Sequence, residues 1–283
     1  MTQKIIRAGN TELVLCFLRF LDSKNIEYDF EYLNRFLKHL YTSSGYFDQA
    51  DTLRNGFTTN IVHFLDLWKE SLQESSLLVL EDSVDFIQGI CPSEQEAFFQ
   101  SLNLGSISYR NSFDYERFSS LSKDSNLLVV SPFAPIIEQQ YESGNLQFVR
   151  PQFKPHNLSS MRFPYFFEST QFNNSLEALT NLKIQLNQKI KRAAVDTVDT
   201  VDAVALSCGC YGALLADHAY QLGINAYYFG GDLQIYFGIM GGRWRASFEN
   251  QAWFEKQKPY WVMEVGSEFI PTSHQQIENS CYW

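Results

Sequence analysis

The apolar positions of this chain follow two periods, and their alternation is clearest in the second half. Asn126 to Ser131 (NLLVVS) is an unbroken run of strand length, the pattern of a strand buried on both faces. Pro132-Phe133 follows, then Ile136, Ile137, Gln140 and Tyr141 at helical spacing up to Gly144. Val204 to Leu206 closes another strand, and Ser207-Cys208-Gly209-Cys210-Tyr211-Gly212 leads into a helical pattern of Leu214, Leu215, His218, Ala219 and Leu222, ended by Gly223. Ala226 to Phe229 repeats the short apolar run and stops at Gly230-Gly231. Strands that alternate with helices in this way predict an α/β fold with a mainly parallel sheet.

The first half carries more helical spacing. KIIRAG, residues 4 to 9, reads as a strand meeting a glycine, and Asn10 or Thr11 then caps a helix bearing Leu13, Leu15, Cys16, Leu18, Phe20 and Leu21. Helices are expected over residues 29 to 41 and 58 to 73, a short strand at Leu77 to Leu80, and a further helix with Pro92 in its first turn. Residues 103 to 123 have no clear period and read mostly as loop. Phe148 to Phe153 reads as a strand, near an edge because of Pro151, and residues 161 to 167 as extended chain. Leu176 to Lys191 is a long amphipathic helix, joined to the next strand through the run VDTVDTVDAVAL from Val195. Past Trp244 the chain is aromatic and irregular. The expected organisation is one domain over 1-283: a helical N-terminal portion at about 10-102, a Rossmann-like portion at about 124-244 with its sheet flanked by helices, and an aromatic tail over 245-283.

Composition narrows the function. At 45% hydrophobic and 16% aromatic residues, a 283-residue chain buries a sizeable core. A formal net charge of −10 with a pI near 5.0 argues against nucleic acid as a partner, since phosphate backbones need a Lys/Arg-rich face. An anionic ligand would have to be held locally, by turn amides, a metal ion or selected arginines. No apolar run reaches the roughly 20 residues of a membrane span, and MTQKIIRAGN lacks the apolar core of a signal peptide, so a cytoplasmic location is expected. The cysteines (Cys16, Cys91, Cys208, Cys210, Cys281) are five and scattered, as suits reduced thiols; Cys208 and Cys210 have no second pair at zinc spacing and read as small residues packed in a turn.

The candidate chemistry lies at strand ends. Gly209 to Gly212 and Gly230-Gly231 each follow a strand and open a helix or apolar segment, which presents backbone N–H groups to phosphate. Tight chain geometry explains such glycines equally well. Arg7, Asn10 and Glu12 project from the first strand-helix junction, where carboxylate and amide oxygens could hold a divalent cation or merely start a helix. There is no G-x-S-x-G, no G-x-x-x-x-G-K-[ST] and no G-x-G-x-x-G; Gly209 and Gly212 supply only G-x-x-G. A phosphate-friendly crevice with carboxylates, Arg243 and aromatics suits a nucleotide-sugar or sugar-phosphate enzyme.

Six segments then carry a resemblance: IRAGNTE at 6 to 12, SSGYF at 43 to 47, LLVVSPFAPIIEQQY at 127 to 141, SCGCYGALLA at 207 to 216, FGGDLQIYFGIMGGRW at 229 to 244 and IENSCYW at 277 to 283. Together they resemble the GT-D-type glycosyltransferases of bacterial capsule, exopolysaccharide and lipopolysaccharide gene clusters. The resemblance implies transfer of a sugar from a nucleotide-diphosphate donor to a glycan or lipid-linked acceptor, with peripheral membrane association through that acceptor or a biosynthetic complex. Its R-x-G-D-x-E junction reads here Arg7-Ala8-Gly9-Asn10-Thr11-Glu12, with Asn10 at the aspartate position. On this basis Glu12 and Asn10 are expected to hold Mg²⁺ or Mn²⁺. Arg7, Gly9, Asn10, Gly209, Gly212, Gly230, Gly231 and Arg243 would bind nucleotide and diphosphate, Gln234 would add a polar contact, and Tyr211 or Trp244 a stacking face. Asp232 and Glu12 are the candidates to take the acceptor's proton if the reaction inverts the anomeric centre. Two rivals stand beside this: pyruvyl or phosphoryl transfer in glycan assembly, and a non-catalytic nucleotide-sugar or glycan binding subunit.

Overall fold

The computed structural model describes residues 2–50, 56–80, 83–104, 107–108, 115–164, 171–196 and 200–270. Seven strands, β1 (Lys4–Arg7), β2 (Leu77–Val79), β3 (Ile107–Ser108), β4 (Asn126–Ser131), β5 (Asn157–Arg162), β6 (Ala203–Leu206) and β7 (Asn225–Tyr228), form one sheet in the order β3-β2-β1-β7-β6-β4-β5. Every pairing in it is parallel. The fold is α/β and Rossmann-like, as the periodicity predicts. Each central strand splits its side chains by period two between two cores: Leu128 and Val130 of β4 and Val204 and Leu206 of β6 go to one, Leu127, Val129, Ala203 and Ala205 to the other.

Connection direction decides which face each helix covers, because parallel crossovers are right-handed. Steps from β1 to β2 to β3, and from β5 through β6 to β7, run one way along the sheet. Their helices α1 (Asn10–Ser23), α2 (Phe30–Thr42), α3 (Thr59–Ser71), α4 (Ser83–Ile90), α5 (Gln95–Ser101), α9 (Ser175–Asp196) and α10 (Gly212–Gln221) build the larger core. Steps from β3 to β4 and from β4 to β5 run the other way. Their helices α6 (Tyr115–Leu121), α7 (Ala134–Glu142) and α8 (Leu146–Val149), with α11 (Asp232–Tyr236) after β7, cover the opposite face. The N-terminal helices therefore share a core with α9 and α10. Helix α1, packed against α2, α3 and α4, buries eight of its residues, including Leu13 to Leu18.

Local chemistry sets the helix starts. Asp29 accepts a hydrogen bond from the N–H of Glu31 at the head of α2, and Thr58 accepts one from Ile61 at the head of α3. Helix α1 differs: its cap is Gly9, not Asn10 or Thr11, and no side chain caps it.

Three expectations are corrected. Phe148 to Phe153 is not a strand; residues 146 to 149 form α8, because an apolar pair beside a buried Val149 fits one helical turn as well as a strand. The edge strand lies later, at Asn157–Arg162, and residues 165 to 167 of the expected extended segment lie outside the described residues. Residues 103 to 123, read as loop, contain β3 and α6; a seven-residue helix is too short to display a period. The aromatic tail is not irregular where it is described: α12 (Gly242–Phe248) and α13 (Ala252–Gln257) pack Phe248, Phe254 and Trp261 against one another in tilted and edge-to-face contacts, with centroids 5.2 to 5.9 Å apart, on Val149, Ile235 and Met240. The terminal IENSCYW segment lies outside the described residues.

Candidate functional site

All the strands are parallel, so the loops after β1, β2, β4, β6 and β7 open on one edge of the sheet. At that edge β1 and β7 are neighbours, yet the chain leaves β1 toward α1 on one face and leaves β7 toward α11 on the other. Such a divergence opens a crevice where α/β sheets take ligands.

Arg7 ends β1 and lies across this crevice, its Nη1 donating to the carbonyl of Phe229 at 3.2 Å. Gly230 has the left-handed φ of +58° that favours glycine, and a Cβ there would have to displace the Arg7 guanidinium. The N–H groups of Gly230 and Gly231 donate to no backbone carbonyl among the described residues. Opposite them stands the uncapped start of the 14-residue α1, where Asn10 and Thr11 likewise have no N–H acceptor among the described residues. A cation, a glycine turn and an uncapped helix start thus converge, which is the chemistry of an oxyanion pocket.

Glu12 is the third helical residue of α1 and is only 3% exposed. Its carboxylate folds back over Gly9, where a Cβ would collide with it, and is hydrogen-bonded by the Ser44 side chain and by its own backbone N–H. Burial pushes its pKa above the ordinary carboxylate value, against the opposing pull of Ser44, its own amide and Arg7.

Asn10 Oδ1 is buried without a hydrogen-bond partner, so the junction holds an acceptor suited to a cation or to an N–H or O–H donor. A divalent cation would find one carboxylate and one amide oxygen here. No group of three His, Cys, Asp or Glu side chains stands at any point among the described residues. Mg²⁺ or Mn²⁺ at Glu12 and Asn10 would therefore complete its shell with phosphate oxygens and water.

The turn after β6 is built differently. Gly209, at φ +52°, is forced by the Ser44 carbonyl, and the N–H of Cys210 is taken by that same carbonyl at 2.7 Å. Tyr211 N–H is taken by Cys208 O, and the Tyr228 hydroxyl donates to Gly209 O at 2.8 Å. Gly212 packs under the Tyr228 ring. Of the amides expected to receive diphosphate, those of Cys210, Tyr211 and Gly212 are spent within the protein, and both glycines answer to close packing. Tyr211 is also corrected as a stacking face, being 0% exposed with its hydroxyl on Ser175 Oγ at 2.8 Å. Gln234 is 1% exposed, inside the core rather than on the crevice wall. Cys208 and Cys210 are buried free thiols whose pKa burial drives up, so they are packing residues, as their spacing suggests.

Asp232, half-buried, opens α11 directly after Gly231. Its charge raises the Tyr115 pKa, second to burial, while Arg150 and Arg7 oppose it, so a phenol, a carboxylate and two guanidinium groups share this side of the crevice. Arg243 and Trp244 lie on α12, where the guanidinium covers the Trp244 ring at 5.6 Å. Trp244 packs against the third cluster. Ser44, Tyr228, Tyr115 and Arg150 were not singled out by sequence. Ser44 lies inside the SSGYF segment, and the other three carry no local motif.

No protein-family model, curated protein or solved structure matches this chain. No helix among the described residues is long and apolar enough to cross a membrane.

Proposed function

We propose that the chain is a glycosyltransferase that takes a sugar from a nucleotide-diphosphate donor and passes it to a glycan or lipid-linked acceptor of a surface polysaccharide. The observation that carries this reading is the meeting of Arg7, the Gly230-Gly231 turn and the uncapped start of α1 at the point where β1 and β7 diverge. The motif resemblance supplies the donor class. The diphosphate lies against the Gly230 and Gly231 amides and the first N–H groups of α1, and Arg7 offsets its charge as the sugar departs. Asp232, rather than the enclosed Glu12, faces the role of accepting the acceptor's proton. Glu12 orders the head of α1 through Ser44; with Asn10 it is also the place for Mg²⁺ or Mn²⁺, which would add Lewis-acid stabilisation of the leaving diphosphate. Arg243 and Trp244 belong to this reading only if the acceptor reaches α12.

The test is release of nucleoside diphosphate from a panel of nucleotide sugars, with and without Mn²⁺ and with candidate acceptors. Turnover of at least one donor is expected; no binding to any nucleotide under any condition overturns the reading. The burial of Glu12 and the amide at Asn10 favour a second reading, a binding subunit without catalysis. Calorimetric binding with no turnover over a long incubation selects it.

A further inference from the structure

Arg150 is a half-buried cation that no acidic side chain among the described residues balances. It follows α8, and its guanidinium lies 4.9 Å from the ring centroid of Tyr115, 5.4 Å from Tyr236 and 5.9 Å from Trp261. Its Nη1 donates to Val149 O at 2.9 Å and its Nη2 to Ile235 O at 3.2 Å, two neutral acceptors. Among the described residues it forms no ion pair, although the chain carries 32 acidic residues against 22 basic ones. Its Nε and the Trp261 Nε1 are both buried N–H donors without an acceptor. Interior guanidinium groups ordinarily sit on a carboxylate, because aromatic faces and carbonyls offset only part of the desolvation cost. Burial pulls the Arg150 pKa down. The position is also informative: Ile235 and Tyr236 end the five-residue α11, whose first residue, Asp232, follows the Gly230-Gly231 turn. The rise across that helix is only about 6 Å.

We infer that Arg150, between Tyr115 and Trp261, is the cation of a second oxyanion subsite beside the β1/β7 crevice, one that takes a phosphate group. Its assignment to the phosphate of a donor or of a lipid-linked acceptor rests on the transferase reading; the anion preference does not. An entering phosphate would accept from the guanidinium edge and bring the missing counter-charge. Tyr115 would stand between this subsite and Arg7.

Calorimetric titration with inorganic pyrophosphate, followed in parallel by tryptophan fluorescence, tests the inference. Arg150→Met should weaken pyrophosphate binding by about tenfold or more, as expected for the loss of a charge-assisted hydrogen bond. Arg150→Lys, which keeps the charge, should fall between Met and wild type, and Trp261→Phe should remove most of the fluorescence response. If Arg150→Met does not fold, the Lys variant and the fluorescence arm carry the test. Pyrophosphate affinity equal to wild type in a folded Arg150→Met or Arg150→Lys protein, or absence of pyrophosphate binding in the wild type, overturns the inference. Donor turnover that ignores Arg150 sinks this subsite and leaves the transferase reading standing; Arg150-dependent pyrophosphate binding without donor turnover does the reverse. Nucleoside diphosphate and a polyprenyl phosphate in detergent, compared as competitors of pyrophosphate, separate a donor from an acceptor source.

Discussion

Two glycine turns leave adjacent parallel strands at the same edge of the sheet, and they do opposite things. After β6, Gly209 and Gly212 make room for the protein itself: the Ser44 carbonyl fills one space and the Tyr228 ring the other, and the neighbouring amides are already bonded. After β7, Gly230 makes room for the Arg7 guanidinium, and the two backbone N–H groups of the turn donate to no backbone carbonyl among the described residues. A glycine at a strand end thus reports close approach; what approaches decides whether the turn is packing or a site.

Substitutions separate the two. The largest effect should come from Gly212→Ala, whose Cβ would enter the Tyr228 ring, beneath a rigid side chain that has no room to yield. A loss of about 3 kcal/mol in urea unfolding is expected, with nucleoside diphosphate affinity per folded molecule unchanged; weakened affinity at unchanged stability would erase the distinction. Gly230→Ala should cost less stability, about 1–2 kcal/mol for the left-handed backbone it must adopt. It should also displace Arg7 and weaken nucleoside diphosphate binding by about tenfold in calorimetry. Arg7→Met should reproduce that affinity loss while changing unfolding free energy by only about 1 kcal/mol. An Arg7→Met protein that binds as tightly as wild type would move the site away from β7.

The smallest effect concerns pH. The Glu12 pKa is raised in the folded chain by burial, so the native state holds that proton more tightly than the unfolded state does. The stability linked to it is complete below the ordinary carboxylate range and is lost as pH rises through the raised value. Glu12→Gln, which keeps the shape and cannot ionise, should make Tm fall less steeply than in wild type from about pH 4 upward. Parallel Tm curves for the two proteins would show that Glu12 ionises freely where it stands.

The sheet was legible in sequence because its central strands are apolar on both faces. Asn126–Ser131 is bounded as the pattern predicts, and β1, β6 and β7 deviate by a residue or two. Elements stabilised by contacts rather than period escaped: α6 depends on Phe118 meeting Phe229 at 4.8 Å and Tyr236 at 4.9 Å, and α12 and α13 depend on aromatic packing from three separate segments. Of the proposed site, Arg7, Asn10, Glu12 and Gly230 could be named from strand-end spacing alone. That the β6 turn is filled could not, since Ser44 lies 165 positions before Gly209 and reaches it only through the fold. Arg150 escaped for the same reason, its environment being assembled from α6, α8, α11 and Trp261.

The most direct test of the difference between the two turns is a crystal soaked with a nucleoside diphosphate. Phosphate density against Arg7, Gly230 and the first amides of α1 is the predicted result. Density seated on Gly209 to Gly212 instead, or none near either turn at saturating ligand, would contradict it.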